Sequence, residues 1–162
     1  MKLLVFSDSH GVLDTMIWAV EHYRPDRVLH LGDCCADFTN LRQRFPEIPM
    51  DGVPGNCDYG VQDAPTRFLE LEGVRIMMTH GHRYGVKSGY LRIVYAAREQ
   101  QADILLFGHT HRAECFREGA LWVMNPGAAG TGCFGIITLT QENAECVLMR
   151  QDGKERCDAA NN

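Results

Sequence analysis

Residues 2–33 read KLLVFSDSHGVLDTMIWAVEHYRPDRVLHLGD. Lys2 to Ser7 is a short apolar run of the kind that fills a buried parallel strand. After the polar stretch Asp8 to Gly11, apolar residues recur at Leu13, Met16, Ile17 and Val20, the spacing of an amphipathic helix. Pro25 ends that helix. Arg27 to Leu31 is a second apolar run, so the stretch is a β-α-β unit and predicts a parallel sheet with a right-handed crossover.

Working outward, Asp37 to Phe45 is expected to be a second, shorter helix closed by Pro46, and Ile48 to Val53 a third strand interrupted by Pro49 and Gly52. Thr66 to Leu71 and Val74 to Thr79 flank Glu72-Gly73 and predict a hairpin. Ser88 is placed to cap a helix with Tyr90, Ile93, Val94 and Ala97 on its apolar face. Asp103 to Phe107 is a further short strand. From Ala113 onward strands and turns dominate: Cys115 to Arg117, Leu121 to Met124, Phe134 to Leu139 and Glu145 to Met149. Helices alternate with strands early and hairpins dominate late. The expected fold class is therefore α/β, a two-sheet α/β sandwich of mixed parallel and antiparallel strands flanked by helices. Residues 1–150 form one domain on this reading, and 151–162 a polar C-terminal tail of the composition that favours disorder.

The bulk properties exclude several classes of function. A net charge of −5 over 162 residues argues against a nucleic-acid binder working through broad electrostatics, which would show a basic patch. No stretch approaches the roughly 20 apolar residues of a membrane helix, and the N-terminus lacks a signal-peptide core. The seven cysteines, at positions 34, 35, 57, 115, 133, 146 and 157, are odd in number, and none are spaced C-x-x-C. That fits neither a disulfide framework nor a zinc knuckle, and points to free thiols in a reducing cytoplasm.

Chemistry-bearing residues fall in five clusters: Asp8-Ser9-His10, Gly32-Asp33, Gly55-Asn56-Cys57-Asp58, His80-Gly81-His82 and Gly108-His109-Thr110-His111. Each follows an expected strand, and open α/β sheets bind ligands at the carboxyl edge of their strands. Singly, each has a plain structural explanation: Asp8 as a helix cap, Gly55-Asn56 as a turn, a lone histidine as a packed side chain. Five ordered clusters at five strand ends, holding five of the seven histidines, are better explained by one site. Imidazoles mixed with carboxylates suit divalent transition ions (Mn first, with Ni, Fe, Zn or Co as alternatives) better than Mg or Ca, which prefer oxygen.

The ordered set D-x-H, G-D, G-N-C-D, H-G-H and G-H-T-H resembles the calcineurin-like metallophosphoesterase superfamily. More narrowly, it resembles the small prokaryotic phosphodiesterase branch, which carries G-N-C-D where the wider pattern has G-N-H-[DE]. The resemblance runs from about Lys2 to Gly135 and includes Asn125-Pro126-Gly127. It implies two divalent ions, one held by Asp8, His10 and His111, the other by Asn56, His80 and His109, with Asp33 bridging. It further implies a small phosphoester as substrate, with a metal-bridging hydroxide as nucleophile. Asn56 and Cys57 are the candidate catalytic residues. Cys57 stands where the wider family has a histidine thought to protonate the leaving group, and a thiol of ordinary pKa is a poorer acid at neutral pH.

The role of His82 stays open, with support of the ligands favoured over ligation. Cys34 and Cys35 adjoin Asp33 but are not expected to bind metal. Arg83, Lys87 and Arg112 flank the site loops, either touching substrate phosphate or merely solvated. The competing reading is a protein-interaction scaffold with little or no catalysis, because the same fold resembles a eukaryotic retromer subunit with an altered metal site. Edge strands near the C-terminus also make a homo-oligomer an open expectation.

Overall fold

A computed structural model of the chain describes residues 1–141 and 143–152. Strands β1 (Lys2–Phe6) and β2 (Arg27–His30) pair in parallel across helix α1 (Asp14–Tyr23), as the opening stretch predicts. Helix α1 ends at Arg24 in the left-handed conformation, just before Pro25. Helix α2 (Cys35–Arg44) leads to β3 (Met50–Gly52), which is parallel to β2. Strands β4 (Thr66–Leu71) and β5 (Val74–Thr79) form the expected hairpin, with Glu72 and Gly73 both at positive φ, as a two-residue hairpin turn of the primed type requires. Helix α3 (Leu91–Glu99), β6 (Ile104–Leu106), β7 (Ala113–Glu118), β8 (Leu121–Pro126), β9 (Cys133–Leu139) and β10 (Ala144–Arg150) complete the described chain.

The strands make two five-stranded mixed sheets, ordered β10-β9-β1-β2-β3 and β4-β5-β6-β8-β7. Alternation along each strand explains the layering. Leu3 and Val5 of β1 face inward with Leu29, Leu31, Ile76, Met78, Ile104 and Leu106, and form the core between the sheets. Leu4 and Phe6 face the other way, onto Met16, Ala19 and Val20 of α1 and Phe38 and Leu41 of α2. On the second sheet Met77, Leu105 and Val123 pack against Ile93, Val94 and Ala97 of α3. Central strands buried on both faces read as continuous apolar runs for this reason.

Two expectations need correction. Ser88 does not cap a helix: Val86–Ser88 is a single 3-10 turn, Gly89 follows at φ 138°, and α3 starts at Leu91 with Tyr90 as N-cap. A residue at that φ cannot lie in a helix, so Gly89 separates Ser88 from it. Helix α2 begins at Cys35 rather than Asp37, because an acceptor distant in sequence stabilises its first turn. Most of the tail, from residue 153 onward, lies outside the described residues. Among the described residues no helix is long and apolar enough to cross a membrane.

Candidate metal centre

The carboxyl ends of β1, β2, β3, β5 and β6 lie along one edge of the sandwich, and the loops leaving them interlock. The Asp8 N–H donates to Gly32 O (3.0 Å), and the Gly108 N–H to His80 O (3.1 Å). Across the two sheets the His109 N–H donates to Asp8 Oδ2 at 3.0 Å, and His80 Nδ1 meets Leu31 O at 2.8 Å. Asp8, His10, Asp33, Cys34, His109 and His111 all adopt positive φ. That conformation is unfavourable for residues with a Cβ and clusters at functional sites. Two glycines are required by close approach: a Cβ on Gly55 would lie 2.1 Å from Asp33 Oδ1, and one on Gly108 only 1.9 Å from Ser7 Oγ.

Six of the seven expected ligands fall into two groups. In Asp8, His10 and His111, and again in Asp33, His80 and His109, one potential ligand atom per residue lies within 4.8 Å of the others. The groups abut, with His80 Nε2 4.0 Å from Asp8 Oδ1. Asn56 joins the second, its Oδ1 3.1 Å from His80 Nε2.

The donor inventory shows what the site requires. A His80 whose Nδ1–H serves the Leu31 carbonyl turns the Nε2 lone pair toward Asn56 Oδ1 and toward Asp33 Oδ2, 3.4 Å away. Three acceptors then converge with no hydrogen between them. In the first group His10 Nε2 and His111 Nε2 stand 3.3 Å apart, and His111 Nε2 is 3.1 Å from Asp8 Oδ1. That buried oxygen accepts no hydrogen bond among the described residues. Buried acceptors facing one another need a cation or a proton. Such a donor set fits divalent ions.

The protonation pattern expresses the same demand. Burial alone would lower the pKa of His80, but the bond to Asp33 and the charge of Asp8 outweigh it and raise it. Burial would raise the pKa of Asp33, but the His80 and Cys57 contacts hold it well below the usual carboxylate range. His109 is pushed down, first by burial and then by the charges of His80 and Lys87. The Cys57 thiol, though exposed, is pushed up, first by the desolvation its neighbours cause and then by the Asp33 carboxylate.

Of the other expected site residues, Cys57 is exposed; its N–H donates to Asp33 Oδ1 at 2.8 Å and its Sγ accepts from Asn56 Nδ2 at 3.3 Å. His82 lies beside His80 and His109, with ring centroids 5.5 and 6.1 Å away, and belongs to neither group. Its buried Nδ1 has no partner among the described residues. Cys34 and Cys35 also belong to neither group. Arg83, Lys87 and Arg112 are exposed.

Three residues that hold these loops were not singled out for that role from sequence. Asp58 accepts four backbone N–H bonds: Cys34 and Cys35 on Oδ1 (2.9 and 2.7 Å), Asp33 and Gly55 on Oδ2 (2.9 and 2.8 Å). It thereby caps the start of α2 from another loop, and fixes the Asp33 and Asn56 turns together. Burial would raise its pKa, but those bonds lower it. Asp37 Oδ2 accepts the Ser9 hydroxyl and the Gly11 N–H, both at 2.7 Å, and so sets the Asp8–His10 loop. Asn125 donates to Gly108 O and Thr110 Oγ1, both at 2.9 Å, and steadies the His109–His111 loop. The sequence signal for Asp58 and Asn125 was their place in the G-N-C-D and N-P-G motifs.

Residues 1–148 match the family model of the calcineurin-like phosphoesterase superfamily domain. The chain is 31% identical to the probable metallophosphoesterase YsnB of Bacillus subtilis, over 99% of this chain and 98% of that one. It is 32% identical to the phosphodiesterase YfcE of Escherichia coli, over 79% of each. A predicted phosphoesterase of Streptococcus pneumoniae superposes with a TM-score of 0.79 at 25% identity, covering 97% of this chain and 93% of that one. Vps29 of Entamoeba histolytica, solved in complex with zinc, superposes at 0.81 with 20% identity, covering 98% and 97%.

Proposed function

The chain belongs to the calcineurin-like phosphoesterase superfamily, and on that premise we propose that it is a dinuclear metal-dependent phosphodiesterase acting on small phosphodiesters. The observation that carries the reading is the convergence of acceptor atoms in two abutting groups, above all the buried Asp8 Oδ1, which accepts no hydrogen bond among the described residues. The phosphodiesterase activity named for YfcE supports diesters over monoesters. On this reading Asp8, His10 and His111 hold one ion and Asn56, His80 and His109 the other, with Asp33 shared. Manganese is our first choice, with Ni, Fe, Zn and Co as alternatives, since availability decides the ion as much as ligand type does. When bound, such a pair supplies Lewis acidity toward phosphoryl oxygens and a water acidified to near-neutral pKa.

The remaining roles belong to the chain. Asp58, Asp37 and Asn125 keep the ligand loops in place without touching substrate. Asn56 orients the substrate phosphate with its amide. Cys57, with its thiol pKa raised, holds its proton at neutral pH and gives it up poorly. The enzyme should therefore favour leaving groups that need little protonation, such as phenolates. The six cysteines among the described residues are all free, which supports a reducing cytoplasmic setting.

The test is turnover of bis(p-nitrophenyl) phosphate by protein loaded with Mn or Ni. Chelation, Asp33→Ala and His109→Ala should each lower it by about 10³-fold or more. A broad phosphoester panel with no turnover under any of these metals would favour the scaffold reading, to which the fold of Vps29 gives its only support.

A further inference from the structure

Beside the metal loops lies a cleft of about 520 Å³ lined by Val86, Lys87, Gly89, Tyr90, Thr110, Arg112 and Glu114. Thr110 stands between His109 and His111, so the cleft opens off the proposed reaction centre. Its walls are fixed. Lys87 rides on the short 3-10 turn Val86–Ser88, bounded by Gly85 and Gly89. Val86 is buried and packs on Gly81, between His80 and His82; a Cβ on that glycine would lie 3.0 Å from the valine Cγ2. The Tyr90 ring sits 5.0 Å from that of Phe107 and 6.3 Å from that of Phe116, and these neighbours set its position. The Tyr90 hydroxyl donates to Glu114 Oε2. Burial and the carboxylate of Glu114 push that hydroxyl up to about 12, which keeps it a neutral donor. Thr110 Oγ1 accepts both the Arg112 N–H at 3.2 Å and the Asn125 amide at 2.9 Å.

Neither Lys87 nor Arg112 makes an ion pair among the described residues, whereas Glu114 is held by Tyr90. With Glu114 counted, the wall carries one net positive charge on an acidic chain. Cations left unpaired beside a fixed cleft suit an anion arriving with a ligand.

We propose that this cleft is a substrate subsite that receives a second anionic group, a carboxylate or phosphate, carried on one ester arm of the phosphodiester, with Lys87 and Arg112 as its specificity-determining residues. The inference rests on the phosphodiesterase reading and names the substrate class of that site. Tyr90 and Glu114 complete the lining, and an uncharged arm gains nothing from the two cations.

The test compares p-nitrophenyl carboxyalkyl phosphates of several spacer lengths with the p-nitrophenyl alkyl phosphates of equal length, on the metal-loaded protein. At the best spacer the carboxylate should raise kcat/KM about 3- to 10-fold at low salt, mainly through KM. The advantage should shrink as ionic strength rises. Lys87→Ala and Arg112→Ala should each cut the ratio of carboxyalkyl to alkyl turnover about threefold, and the double variant should abolish the preference. Equal turnover of both series at every spacer, or a preference that survives in the double variant, overturns the proposal. Calorimetric binding of the same pairs separates the two readings. Tighter binding of the carboxyalkyl ester without turnover of any diester refutes the phosphodiesterase reading and leaves the subsite standing. Equal binding refutes the subsite.

Discussion

Replacing Asp58 by Asn keeps the shape of the side chain and removes half of its acceptors. Oδ1 accepts from Cys34 and Cys35, and Oδ2 from Asp33 and Gly55, all within 2.9 Å. An amide can serve only one of these pairs; its NH₂ then points at two N–H donors. Hydrogen bonds to a charged group contribute roughly 1.5–3 kcal/mol each. Two lost bonds would give about 3–6 kcal/mol, and partial solvent access to Asp58 brings the expectation to about 3 kcal/mol. The loss falls on the turns that present Asp33 and Asn56, so metal affinity should weaken by roughly 10-fold or more, within the range for groups that support ligands. Urea denaturation of Asp58→Asn in chelator gives the first quantity, and calorimetric titration with Mn the second. The depressed pKa of Asp58 gives its contribution a sign: it is present above the ordinary carboxylate range and lost as pH falls through the folded-state value. A variant within 1 kcal/mol of wild type, with unchanged metal affinity, would refute the claim that this carboxylate organises the site.

Three further expectations follow from other parts of the molecule. His30 is buried against Phe38, and burial, opposed by the charges of Asp58, Asp8 and Asp37, lowers its pKa from 6.5 to about 4. The unfolded chain therefore binds the extra proton between those values; stability falls with pH, by about 2 kcal/mol from pH 7 to pH 5. That slope should flatten in His30→Phe when denaturation is followed in chelator across the range, and an unchanged slope would contradict the assignment. Gly108→Ala forces a Cβ against Ser7 Oγ and to 2.8 Å from Asp8 Oδ2. It should destabilise by about 1–3 kcal/mol and lower metal occupancy, read by melting temperature and elemental analysis. Cys57→His should raise turnover of alkyl phosphodiesters relative to aryl ones by about 10-fold or more; equal effects on both would remove Cys57 from the leaving-group step.

The β-α-β opening, the Glu72-Gly73 hairpin and the buried strands were legible because each is specified locally, by period, turn chemistry or unbroken apolar runs. The five site clusters were legible because their residue types recur at strand ends. What eluded the sequence is long-range. The start of α2 depends on the Asp58 carboxylate reaching over from another loop. The Ser88 cap failed because Gly89 takes a φ that only the folded turn reveals. Asp37 reads as an ordinary residue in the first turn of a helix, yet its carboxylate holds Ser9 and Gly11 across 28 and 26 residues of sequence. Nor does any motif show that Lys87 and Arg112, 25 positions apart, line the same cleft.

On the proposed reading, two ions sit side by side at the joined edge of the two sheets. A crystal structure of Mn-loaded protein with anomalous data tests it most directly. Two manganese peaks are expected roughly 3.5–4 Å apart, one against Asp8, His10 and His111, the other against Asn56, His80 and His109, with the Asp33 carboxylate reaching both. A single peak, or peaks away from these side chains, would contradict it.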